Sequence, residues 1–134
     1  MQDHKKLRVW QRAHGLTVSV IQCAKKWPRE MGWLKTQLVR ATASIAANIA
    51  EGAGQETSAQ FGRFLATALA SSNEVSNHAT VAYDCAHISL ADFSHIEGEI
   101  EAIRAMLTVL QRRVRESEAR SFERLTYPSP TPDF

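Results

Sequence analysis

Residues Ile96–Val114 read IEGEIEAIRAMLTVLQRRV, and within them Ile96, Ile100, Ile103, Leu107, Leu110 and Val114 recur at spacings of four and three. That spacing places every one of these large aliphatics on one side of an α-helix, because residues three and four apart are surface neighbours. A strip of this kind needs other helices to cover it, so the stretch predicts one member of a helix bundle. Proline, which breaks helices, is absent from Arg29 through Tyr127, and three of the four prolines fall in the tail YPSPTPDF at 127–134.

Working outward, three more helices come into view. The Ile/Leu seam starts after Ser89 or Asp92 and predicts a helix over 90–119. Upstream, Thr57-Ser58-Ala59-Gln60 has the capping-box spacing and opens a helix over 58–87, with the seam Phe61, Leu65, Ala68, Ser72, Val75, Ala79, Ala82, Ala86. Before it, Leu34, Leu38, Ala41, Ile45, Asn48 and Gly52 mark a helix over 31–52 that stops at Gly52-Ala53-Gly54. Pro28 ends a first helix over 5–27, whose stripe is Leu7, Trp10, Ala13, Thr17, Val20, Ile21 and Ala24. Four helices with short connections predict an all-α, antiparallel up-down four-helix bundle over 1–120, followed by a Pro-rich, mobile tail at 121–134.

Length and charge bound what such a bundle does. At 134 residues and 14.9 kDa a single domain is expected, too small for an enzyme with a separate cofactor domain. The longest run without a charged residue, Ala13–Ala24, is short of the ~18 residues of a membrane span. No signal peptide is visible, and Cys23 and Cys85 form neither a disulfide framework nor a CxxC pair, so a cytoplasmic protein is expected. The formal charge of +2 conceals a partition along the chain. Residues 1–40 hold nine Lys/Arg against two Asp/Glu, and residues 41–103 hold one Arg against eight acids. Such segregation predicts a surface that attracts anions.

Three strings carry a resemblance: Val9-Trp10-Gln11-Arg12-Ala13, then Gln37-Leu38-Val39-Arg40-Ala41, then Ser44-Ile45-Ala46-Ala47-Asn48-Ile49-Ala50-Glu51-Gly52. With Arg63-Phe64-Leu65, Ala68, Ser71 and Glu74 after them, they resemble the four-helix-bundle family first known from intervening sequences of 23S ribosomal RNA genes, over residues 4–115. The chain departs from that pattern at Val39, Ala46 and Gln55, where the family has Arg, Pro and Arg, and it therefore lacks two of the family's cations. The resemblance implies a homopentameric barrel. It also implies kinship with the accessory variability determinant of diversity-generating retroelements, which binds nucleic acid and a reverse transcriptase.

The candidate chemistries follow from these residues. Lys5, Arg8, Arg12 and Lys26 fall on one side of the first helix, with Lys6, Lys25, Arg29 and Lys35 near them, and clustered cations suffice to hold phosphates. Arginines 104, 112, 113, 115 and 120 follow the acids of the last helix and read as dipole complements, with a Glu101–Arg104 pair. A di-iron bundle needs two Glu-x-x-His motifs, whereas Asp84-x-x-His87 and the Glu74/His78 pair occur once each, so no metal and no cofactor are expected. The cysteines have no adjacent base and predict no catalysis. Arg40, Ser44, Asn48 and Glu51, with Trp10 and Glu74, read as structural or subunit-contact residues, with Asn48 on the core seam and Arg40 and Glu51 in ion pairs. The leading expectation is a non-enzymatic homo-oligomer that binds structured RNA or RNA/DNA through the basic faces of the first helix, as an accessory of a retroelement reverse transcriptase or of a 23S ribosomal RNA intervening sequence. The alternative is a protein-interaction scaffold that binds no nucleic acid.

Overall fold

The capping box at Thr57 forms as its spacing predicts: the Thr57 hydroxyl accepts from the Gln60 backbone N–H at 3.2 Å, and the Thr57 N–H donates to the Gln60 side chain at 3.4 Å. The computed structural model describes residues 2–126, and every regular element among them is helical. The elements are α1 (Arg8–Ala24), α2 (Gly32–Ala53), α3 (Ser58–Asp84) and α4 (Leu90–Thr126), with single 3₁₀ turns at His4–Lys6 and Arg29–Met31. Each helix packs on its neighbours in sequence, and α1 closes the ring against α4. The packing is antiparallel throughout. Thr17 reaches Thr42 across α1/α2, the Tyr83 ring stacks on Phe93 across α3/α4, and Cys23 and Arg12 meet Asp92 and Glu99 across α1/α4. No described helix is long and apolar enough to cross a membrane.

The bundle is held by the predicted α4 seam. Ile96, Ile100, Ile103 and Leu107 are almost fully buried, together with Leu16 and Val20 of α1, Leu34, Leu38, Ile45 and Ile49 of α2, and Leu65 and Val75 of α3. Each such side chain contributes roughly 1.5–3 kcal/mol when taken out of water. Helices α2 and α3 meet through small residues: Ser44 and Ser71 share a hydrogen bond of 2.9 Å, and Gly52 lies against Phe61 and Phe64. Gly52 is the tightest point: a Cβ there would lie 2.7 Å from the Phe61 ring and 2.8 Å from the Phe64 Cβ.

Helix ends differ from the sequence reading for identifiable reasons. The helix expected over 5–27 is interrupted because Leu7 is extended, and the Trp27–Pro28 step forbids continuing the helix beyond the turn after Ala24. The third helix stops at Asp84 instead of 87. Ala86 is left-handed at φ 61°, the His87 N–H donates to the Ala82 carbonyl at 2.8 Å, and the Ala86 N–H donates to that of Tyr83 at 2.9 Å. This is a Schellman close with alanine where glycine is the usual residue. The fourth helix runs on to Thr126, so residues 121–126, assigned above to a mobile tail, are helical: Ser, Phe, Glu, Arg and Leu contain no breaker. Residues 127–134 lie outside the described part. On α1, Ile21 is 39% exposed, and on α2 Ile49 takes the core position expected for Asn48, because the buried arc follows 45, 49 and 52.

Two substitutions test these local arguments by chemical denaturation. Ala86→Gly relieves the left-handed strain and is expected to raise the unfolding free energy by about 0.5–1 kcal/mol, net of glycine's greater unfolded-state entropy. Gly52→Ala forces a methyl into the α2/α3 contact and is expected to lower it by about 1–3 kcal/mol.

Candidate nucleic-acid interface

Arg12, at the centre of the predicted basic face, is already occupied. Its guanidinium donates to Glu99 of α4 through Nε at 2.8 Å and Nη2 at 3.2 Å, a two-pronged contact, and this is the one ion pair within 4 Å among the described residues. The Glu99 carboxyl is held below the usual carboxylate range by the Arg12 hydrogen bond, against the opposing effect of burial. The pair belongs to a polar clasp down the α1/α4 seam. Ser19 Oγ lies 3.1 Å from His95 Nε2, and the Cys23 thiol donates to Asp92 at 3.3 Å. Burial, reinforced by the Asp92 hydrogen bond, pushes the Cys23 thiol up, so it stays protonated and a poor nucleophile at neutral pH.

With Arg12 withdrawn, the remaining predicted cations separate into two groups about 25 Å apart along α1. Lys25, Lys26 and Arg29 are exposed, and Lys35 is half-buried, around the α1–α2 connection. At the other end Lys5 and Lys6 sit in the 3₁₀ turn and Arg8 opens α1. Lys5 is therefore off the helical face on which the spacing placed it. Lys6 and Arg8 rim a groove between the start of α1 and α4, and Arg113 of α4 joins them. The groove floor is Leu7, Met106, Val109 and Leu110, its volume is about 430 Å³, and no acidic residue lines it. Arg113 is the member that sequence reasoning missed. It looked like a dipole complement because nothing local shows that α4 brings it beside a helix about 100 residues earlier.

Trp10 is next to this region and is half-buried. His14 stacks on it at 4.9 Å and 12°, and His4 meets it edge-on at 4.9 Å and 71°. The second set of singled-out residues lies between α2 and α3. Ser44 and Ser71 share a hydrogen bond of 2.9 Å, and the Asn48 amide donates to the Ser44 carbonyl and hydroxyl at 2.8 and 3.0 Å. Asn48 is thus a half-buried clasp at the edge of the core. Arg40, Glu51 and Glu74 are exposed and form no ion pair among the described residues, and the expected Glu101–Arg104 pair is likewise not formed. No group of His, Cys, Asp and Glu among the described residues has metal-binding geometry.

Four antiparallel helices with a cation-rimmed groove define a small helical-bundle protein of the kind that the sequence resembles. Residues 5–109 match the family model of the 23S rRNA-intervening sequence protein, and the chain belongs to that family. Among solved structures it is similar to a protein of unknown function from the S23 ribosomal protein family of Bacteroides thetaiotaomicron. The TM-score is 0.73 at 21% identity, covering 77% of this chain and 97% of that one. No curated protein matches.

The clasp has a pH signature. A carboxyl whose folded pKa is depressed contributes stability above its unfolded value, about 4.3, and that contribution is lost as pH falls through the folded value. The stability difference between the wild type and Arg12→Gln, followed by urea midpoints, is therefore expected to shrink as pH falls from about 5 to about 3. A difference that stays constant across that range would remove the Arg12–Glu99 pair as its source.

Proposed function

We propose that this protein is a non-catalytic, homo-oligomeric RNA-binding accessory whose phosphate contacts are made by Lys5, Lys6, Arg8 and Arg113. The observation that carries this reading is the convergence of Lys6 and Arg8 with Arg113 on one acid-free groove, in a chain of the 23S rRNA-intervening sequence family. Cations brought together by the fold attract phosphate without any special spacing and gain affinity by releasing counterions. Backbone contacts of this type carry no base-sequence preference, and among the described residues no β-sheet platform for stacked bases accompanies them. Lys25, Lys26, Arg29 and Lys35 form a second, separate contact, while Arg12 is not counted because Glu99 neutralises it. The reading includes assembly, expected as a pentamer from the family resemblance, and a reverse transcriptase as protein partner.

Anisotropy titration of labelled hairpin RNA and of duplex DNA, at several salt concentrations, tests the reading. Wild type is expected to bind the RNA at micromolar concentration or tighter. Lys6→Ala/Arg8→Ala/Arg113→Ala is expected to weaken it at least ~10-fold and to reduce the log–log salt slope by about three. Arg12→Ala is expected to bind as wild type. Equal affinity in the triple variant would overturn the groove assignment, and no binding near physiological salt would leave the protein-scaffold reading in its place.

A further inference from the structure

α4 has a groove on each flank. On the side away from α1, a recess of about 270 Å³ opens between the start of α3 and α4, with Arg63 of α3 and Arg115 of α4 over a floor of Ala59, Gly62 and Ala66. Gly62 approaches Val114 across this seam, which sets Arg63 and Arg115 at one level of the bundle. Both arginines are exposed, and neither forms an ion pair among the described residues. Two like charges gathered in one recess without a counter-ion attract an anion.

α4 itself joins the two flanks. Arg113 and Arg115 are two residues apart, which puts them about 160° apart around the helix but only about 3 Å apart along it. Arg112 lies between them on the outward ridge and is exposed. Each groove thus receives an arginine from the same turn of α4, completed by Lys6 and Arg8 on one side and by Arg63 on the other. The acids of this stretch are Glu116, next to the ridge, and Glu118, in the α3/α4 recess.

We propose that α4 straddles the minor groove of a double-stranded RNA, with Lys6, Arg8 and Arg113 on the phosphates of one strand and Arg63 and Arg115 on those of the other. This rests on the RNA reading above and adds to it a second site and a class of RNA. Neither groove is lined by an aromatic residue on which an unpaired base could stack, and single-strand surfaces depend on such stacking. Contacts to phosphate alone suit a duplex, whose bases are already stacked on one another. Shape selects the A-form. Along the grooves α4 is embedded between the start of α1 and α3, so it offers a low ridge instead of a free helix. Such a ridge fits the wide, shallow minor groove of RNA. It can neither sink into the roughly 8.5 Å deep major groove of B-DNA nor enter its roughly 6 Å wide minor groove.

Anisotropy titrations of one sequence as blunt duplex RNA, as single-stranded RNA and as duplex DNA test this. Wild type is expected to bind the duplex RNA at least ~10-fold tighter than either other form. Arg63→Ala/Arg115→Ala is expected to weaken duplex RNA at least ~10-fold and to lower its log–log salt slope by about two, while single-strand affinity changes less than ~2-fold. Arg63→Lys/Arg115→Lys keeps the charge and is expected to stay within ~3-fold of wild type. Arg40→Ala/Arg104→Ala removes equal charge outside both grooves and is expected to bind as wild type; circular dichroism follows the folding of every variant. A wild type that binds RNA, with duplex affinity unchanged in Arg63→Ala/Arg115→Ala, would overturn the second-strand contact and leave the α1/α4 groove reading standing. Equal wild-type affinity for single-stranded RNA or for duplex DNA would overturn the straddled A-form duplex. A wild type that binds none of the RNAs would remove the RNA reading itself, and this inference with it.

Discussion

The close approach of α2 and α3 is the constraint on which the rest of the bundle depends. Only glycine at position 52 leaves room for the Phe61 ring and the Phe64 Cβ, and the alanines and serines along the two helices keep their backbones near each other. With these two helices drawn together, α1 and α4 lie along the open side, and the bulky residues of α4 fill the space that small residues leave. The distribution of large and small side chains therefore decides the cross-section. Tight packing at native density tolerates little change at such points.

Charge is arranged by tertiary structure more than by position in the chain. The basic N-terminal segment and the acidic middle meet along the α1/α4 seam, where Arg12 and Glu99 cancel. The cations left over gather at the two ends of α1. At one of those ends α4 contributes Arg113, so a surface of one sign is assembled from the first and last helices. An interface built in this way requires the bundle to be closed before it exists.

The sequence announced the architecture well because its signals are local. The α4 spacing, the Thr57–Gln60 box and the glycines near residue 52 each act within a turn or two, and each reappears in the structure. The errors fall where a local signal was weak or a distant partner decided the outcome. Ala86 adopts a left-handed backbone that composition does not advertise, and the α4 extension has no breaker to reveal where the bundle, as opposed to the helix, ends. Asn48 was assigned to the core by a spacing one position out of phase with the buried arc. For the site, Arg12 could not be known to be neutralised, nor Arg113 to be recruited, without the antiparallel pairing of α1 and α4.

The seam that closes the ring joins its two sides by polar bridges from Arg12, Ser19 and Cys23, while α1 supplies two alanines, a leucine and two valines to the core. The groove walls belong one to α1 and one to α4, so the groove vanishes whenever α1 swings away. Anything that occupies it binds only the closed form and stabilises that form by mass action. Occupancy of the groove and docking of the first helix are thus one coupled equilibrium. A molecule held there acts as a latch on the bundle itself.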